Sequence, residues 1–393
     1  MKTYCSRVLC WITLVIMLGS CGQPHSSSVL TPAEPTPDTT SDSEESTADS
    51  PSEATELDTP TEETTEPEPE PEPEIPPIQV WTAPEGEDIP CENTRIPFTF
   101  EPNAQGHSLT HAFWTMWFAK RSFTGGDPAT EAELRELGFD NYRFLVNELA
   151  GLQVLIIAND ETMVVAFQGS KDLIDWFANF YFFQQDAEHG VVGRVHQGFA
   201  AVLDSEWEQI IGTIEHFGRP GQQIWLSGHS LGAALATLSA ARLVAAGYDL
   251  APLYTHASPR VGDTQFAEAF YEQTGGKHYR IANDVDIVPH LPPAGAAAHA
   301  AANFIPLGLT SFGEGFLSDL GYAHAGELYR IETDGALTHF PGLQEEEDTD
   351  YWSNLDVASL FDMITSSTQE VLHNESTYLC RLRDLWLEDT ATP

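Results

Sequence analysis

The chain has 393 residues and a formal net charge of −43 at pH 7, from 60 Asp and Glu against 17 Lys and Arg. Such an acidic surface repels nucleic acid and anionic membranes, so neither is an expected partner. The length suits one large domain or two ordinary ones.

At the start of the chain, Lys2 and Arg7 precede a mostly apolar run, Val8 to Leu18, followed by small residues. The run is too short for a stable membrane span and reads as an export signal over residues 1–20. Leu18-Gly19-Ser20-Cys21 resembles the lipobox of bacterial lipoproteins. That resemblance implies that Cys21 becomes the acylated N-terminus, anchored by about 0.8 kcal/mol per buried methylene. Gly22, where an acidic residue would signal inner-membrane retention, favours the outer membrane of a bacterial envelope. Residues 21–80 hold sixteen acidic residues and no Lys or Arg, and include EPEPEPEPEIPP. Too little apolar surface exists there to offset chain entropy, so a disordered, extended tether is expected. Its reach is on the order of 50 to 150 Å. With Cys5 and Cys10 in the signal and Cys21 lipidated, Cys91 and Cys380 remain as an even pair in an oxidising compartment. A bridge between them is expected, worth at most about 5 kcal/mol; the alternative is two cysteines that do not pair with each other.

Residues 81–393 have a globular composition. Helical spacing of apolar residues appears in 111–123, 129–139 and 205–218. The β-branched runs 152–160 and 162–170 meet at Asn159-Asp160 and predict a hairpin. Further strands are expected at 222–227, 252–259 and 278–288, with helices from about Leu231 to Ala246 and over 266–275. Alternating strands and helices predict an α/β domain, its mainly parallel sheet covered by helices on both faces.

Between the strand at 222–227 and the Ala-rich helix lies Gly228-His229-Ser230-Leu231-Gly232. The pentapeptide alone is a weak signal, but strand, turn and helix together form the setting of a nucleophile elbow. There Ser230 would be lifted clear of the sheet. Flanking glycines would avoid collisions, and the N–H of Leu231 would face a tetrahedral oxyanion. A serine needs a base, and the order expected on this fold is Ser, then an acid, then His. Asp284 and Asp286 both follow a strand, and His290, His299, His324, His339 and His373 all follow them. Residue chemistry alone does not choose among these.

Several blocks do. VVAFQGSKDLIDWFANF (164–180), VHQGF (195–199), SGHSLGAALATL (227–238), SPRVGD (258–263), DIVPHLPP (286–293) and HNESTYLCRL (373–382) occur in order. From about His107 to Leu382 the chain resembles the class 3 lipases, the fungal-lipase-like branch of the α/β-hydrolases. The resemblance implies Ser230 as nucleophile, Asp286 as acid and His373 as base, with Ser170 as second oxyanion donor beside Leu231. It implies a structural role for His324. The chain departs from the family at Gln168, usually Arg, at Ala257, usually Gly, and at Asn179, usually Asp. Residues 293 to about 320 look inserted.

The resemblance therefore implies a carboxylic ester hydrolase of triacylglycerol-lipase type, working through an acyl-enzyme, with a lipid or ester substrate and no metal or cofactor. Its membrane association would come from the lipid anchor. A phospholipase or a polysaccharide-aroyl esterase on the same fold is the alternative within enzymes. A non-catalytic, surface-anchored binding protein is the alternative outside them. Residues 172–183 carry eight apolar side chains and read either as the family's lid or as a core helix.

Overall fold

The β-branched runs form two strands of one sheet, and the reason is visible in their alternation. In the computed structural model, β2 (Leu152–Ala158) and β3 (Thr162–Phe167) pair antiparallel. Val154, Ile156, Met163 and Val165 enter one apolar core. Leu155, Ile157, Val164 and Ala166 enter another. Both faces are buried, so the strands read as continuous apolar runs. The structure describes residues 98, 100–101, 105–170, 183–284, 286–292, 294, 321–343 and 373–391, all within the unit Pro77–Pro393. The signal, Cys21, the tether, Cys91, Asn179, the segment 171–182, His299 and most of the expected insertion lie outside the described residues.

Among the described residues the remaining elements run as follows. Helices are α1 (Leu109–Arg121), α2 (Pro128–Glu136), α3 (Gln197–Asp204), α4 (Trp207–Phe217), α5 (Leu231–Ala245), α6 (Thr264–Thr274) and α7 (Glu375–Ala391). Strands are β1 (Asn141–Asn147), β4 (Gln184–Asp186), β5 (Arg194–His196), β6 (Gln223–His229), β7 (Leu253–His256), β8 (Gly262–Asp263), β9 (His278–Asn283), β10 (Tyr322–Ala323), β11 (Glu327–Ile331) and β12 (Leu337–Phe340). The main sheet has the order β1-β2-β3-β6-β7-β9-β11-β12. Neighbours from β3 to β11 are parallel, and antiparallel strands complete both edges. A second, antiparallel sheet has the order β10-β8-β5-β4. The expected α/β architecture is the one observed.

Two helices position the site. Helix α5 is buried from Leu231 to Leu243, and its alanines let it lie close to the sheet. On the other face, α1 is buried from His111 to Ala119, against the sheet on one side and α7 on the other. Helix α7 runs antiparallel to α1: Lys120 Nζ reaches Ser376 Oγ at one end, and Trp386 Nε1 donates to Thr110 Oγ1 at the other, 2.9 Å. This clamp holds His373, just before α7, against the carboxyl ends of the parallel strands. Among the described residues, no helix is long and apolar enough to cross a membrane.

Candidate active site

Ser230 occupies the turn between β6 and α5 with φ 61° and ψ −128°. A non-glycine residue in that region is strained. The turn is held by Ser230 N donating to His256 O at 2.9 Å and by Ala233 N donating to Ser230 O at 2.9 Å. Its hydroxyl does not cap the helix, and it has no hydrogen-bond partner although the residue is buried. The oxygen is therefore left uncommitted at a helix N-terminus, where the N–H of Leu231 is one of the groups without an intrahelical acceptor.

The glycines around it are required by contact. A Cβ on Gly228 would lie 2.1 Å from Gly232 O, and one on Gly232 would lie 2.2 Å from Phe167 O. A Cβ on Gly169 would lie 2.8 Å from His229 O and 3.2 Å from Ser230 Cβ. The end of β3 thus lies against the elbow, and Ser170 follows it directly.

Asp286 is fully buried just after β9. Its Oδ2 lies 2.8 Å from His373 Nδ1 and accepts from Tyr378 OH at 2.7 Å. Its Oδ1 accepts from Val288 N at 3.0 Å. Because Nδ1 faces a carboxylate, it carries the proton, and the lone pair is left on Nε2. That Nε2 is buried and has no hydrogen-bond partner. His373 packs 4.8 Å, centroid to centroid, from the ring of His229, the neighbour of Ser230. Ser230 and His373 make no hydrogen bond to each other among the described residues.

The other candidates go elsewhere. Asp284 faces Arg330 at 3.6 Å, with both side chains partly exposed. His324 is buried with Nε2 2.7 Å from Pro289 O, which makes it a tie between two loops. His339 pairs with Glu327 at 2.9 Å, and His290 belongs to a short 3-10 turn. Cys380 lies on α7.

Two residues were not singled out from sequence. Tyr378 accepts from Asn283 N at 2.8 Å while donating to Asp286, so its hydroxyl joins the end of β9 to the acid. Burial, with the Asp286 charge beside it, pushes its hydroxyl well above the ordinary tyrosine range, and it stays a donor. His229 is driven well below the ordinary imidazole range, first by burial and then by neighbouring His373 and His256. It is a neutral ring against the candidate base. Tyr378 was legible in principle, since it falls in the first turn of the helix that His373 precedes.

The sheet order, the strained serine after its central strand and the contact of a buried carboxylate with a partly buried imidazole match the α/β-hydrolase fold. Residues 164–296 match the family model described as Lipase (class 3). A secreted mono- and diacylglycerol lipase 1 from Fusarium solani is 36% identical over 137 residues, covering 33% of this chain and 39% of that protein. A lipase from Rhizomucor miehei is 31% identical over 179 residues, 44% of this chain and 42% of that one. A phospholipase A1-II 3 from Oryza sativa subsp. japonica is 34% identical over 169 residues, 35% and 40% of the two chains. The matched segments span about two fifths of the length of these relatives. Residues 164–296 are thus similar to the class 3 lipases.

Proposed function

We propose that the protein is a carboxylic ester hydrolase of lipase type, with Ser230 as nucleophile, His373 as general base and Asp286 as the orienting acid. The observation that carries this reading is the 2.8 Å contact of Asp286 with His373 Nδ1, which leaves Nε2 as a base beside the elbow. In this reading His373 Nε2 takes the Ser230 proton as Oγ attacks the ester carbonyl. The N–H groups of Leu231 and Ser170 donate to the oxyanion. Collapse expels the alcohol, which receives the proton back from His373. Water, deprotonated by the same nitrogen, then attacks the acyl carbon, and His373 returns the proton to Ser230 Oγ as the acid leaves. One oxyanion donor is worth about 3 to 4 kcal/mol of barrier.

The test is fluorophosphonate labelling together with hydrolysis of p-nitrophenyl butyrate. The native protein is labelled at Ser230 and turns over; Ser230→Ala and His373→Ala lose both turnover and labelling while retaining cooperative unfolding. Full turnover in either variant removes the assignment, and an inert native protein favours a non-catalytic binding role.

Acylglycerols are the proposed substrate class, because two of the relatives described are lipases and one is named for mono- and diacylglycerols. Phospholipid is the second reading, since a relative of similar identity is a phospholipase A1. We further propose export, with residues 1–20 as signal, Cys21 as a lipid anchor at a bacterial envelope and 21–80 as a spacer before a domain over 81–393. A Cys91–Cys380 bridge would tie the start of that domain to α7. These rest on the sequence features described above.

A further inference from the structure

The β1–β2 hairpin exposes Leu149 in its turn and Val146 on its edge strand, at the level of the candidate active site. In the register of the sheet, Asn147 lies opposite Leu152, Val154 opposite Phe167, and Phe167 opposite Gly228. Gln168 N donates to Gln153 O at 3.0 Å, which ties the base of this hairpin to the strand end that carries Ser170. The turn 148–151 therefore emerges at the same edge of the sheet as Ser230. Strands are about 4.8 Å apart, so β1 lies roughly 15 Å to the side of β6.

Leu149, at the tip, is 102% exposed and Val146, on the edge strand, 45%. Among the described residues four large apolar side chains are exposed, and two of them share this hairpin. Val192 belongs to the opposite end, since a Cβ on nearby Gly190 would meet Ala245, the last residue of α5. The exposure of Leu149 does not come from a loose turn. Asn147 Oδ1 accepts from Ala150 N at 3.1 Å, and Asn147 Nδ2 donates to Glu206 Oε1 at 3.0 Å, fixing the turn to the start of α4. A pinned turn with a bare leucine at its tip loses hydrophobic free energy in water and recovers it against an apolar phase.

We propose that this hairpin tip, led by Leu149, docks the protein onto the surface of an uncharged or zwitterionic lipid aggregate and so sets Ser230 against the ester-bearing layer. The proposal rests on the hydrolase reading above for its substrate. Charge selects the kind of surface: Glu148 and Glu206 flank the tip, and the chain as a whole is strongly acidic, so an anionic surface repels it.

The experiment uses the full chain carrying Cys21→Ser, so that no N-terminal lipid contributes. Binding is read by flotation with ether-linked phosphatidylcholine vesicles, which cannot be hydrolysed, and turnover with a triacylglycerol emulsion and with dissolved p-nitrophenyl butyrate. Leu149→Asp is expected to lower vesicle binding and emulsion turnover about tenfold, from the lost burial of one leucine. Its turnover of the dissolved ester stays within twofold, and Val192→Asp matches the parent in all three assays. Unchanged vesicle binding in Leu149→Asp overturns the proposal, as does an equal loss on dissolved and emulsified esters. A change of oligomeric state with vesicle binding intact also overturns it, assigning the tip to a second copy of the chain. Failure of the parent to cleave any ester counts against the hydrolase reading alone, because flotation still reads the docking.

Discussion

Tyr378 and His373 share one oxygen: Tyr378 OH donates to Asp286 Oδ2 at 2.7 Å, and His373 Nδ1 lies 2.8 Å from the same atom. The two come from the same end of α7, so one helix sets both partners of the acid. A hydrogen bond to a charged group is worth about 1.5 to 3 kcal/mol, and removing the hydroxyl also strands the N–H of Asn283. Tyr378→Phe is therefore expected to lower kcat/KM about tenfold and stability by about 2 kcal/mol, read by ester hydrolysis and urea unfolding. An unchanged rate would mean that Asp286 is held by its other contacts alone.

The two neighbouring acids make a clean comparison. Asp286 is buried against His373, whereas Asp284 is partly exposed and faces Arg330. Replacing a triad carboxylate by an amide inverts the tautomer of the base and typically costs about 10⁴ in kcat. Asp286→Asn should lose at least a thousandfold on that scale, and Asp284→Asn should stay near the native rate. The opposite ranking would transfer the acid's role.

Ala257 stands where the class 3 family usually has glycine, and its φ is 52° with the residue buried. Left-handed backbone costs a residue with a Cβ about 1 to 2 kcal/mol. The buried methyl returns about 0.8 kcal/mol. Ala257→Gly should accordingly raise stability slightly, by about 0.5 kcal/mol, whereas Ala257→Val should lower it by more than about 2 kcal/mol, since a β-branched side chain fits this region worst. Thermal melts of the two variants check the order; a stabilising valine would contradict the assigned backbone.

Acid should unfold this protein earlier than its carboxylates alone require. Burial pushes His256 and His196 down to about 3 and His107 down to about 4. At pH 7 these rings are neutral whether folded or unfolded and add no pH dependence. Below the ordinary imidazole value of 6.5 the unfolded chain takes up protons that the folded state refuses. Stability then falls with pH, by about 1.4 kcal/mol per unit for each ring, until the folded values near 4 and 3 are reached. Urea unfolding from pH 7 to pH 4 should show this decline, and His256→Asn should make it shallower. A flat profile would mean that the rings are protonated in the folded state.

The elbow's glycines should tolerate nothing larger. Gly232→Ala puts a methyl 2.2 Å from Phe167 O, in backbone that cannot swing aside. Ester turnover is expected to fall at least a hundredfold, the scale of a displaced oxyanion donor. Near-native turnover would show that α5 can retreat from β3.

The local pieces follow from residue pattern alone. The runs at 152–158 and 162–167 are apolar on both faces, so they had to be interior strands, and Asn159-Asp160 had to turn between them. The elbow was readable because glycine and alanine at fixed offsets answer to contacts a few residues away. Less was legible at the sheet edges. Asn141–Asn147 mixes polar and apolar residues on both faces, with one residue buried, and Glu327–Ile331 is short and mixed, so neither stood out as a strand.

Which acid meets which histidine is a matter of tertiary contact. Asp284 and Asp286 are two residues apart and chemically identical; the end of β9 sends one toward Arg330 and the other toward α7. His373 is far from Ser230 along the chain, and nothing local to HNESTYLCRL reports its neighbours. Its place is set by α7 lying antiparallel on α1, through Lys120, Ser376, Thr110 and Trp386. Backbone propensity and steric fit act over a few residues and can be read in order. The pairing of Asp286 with His373 depends on how whole helices pack, and that is a property of the folded chain.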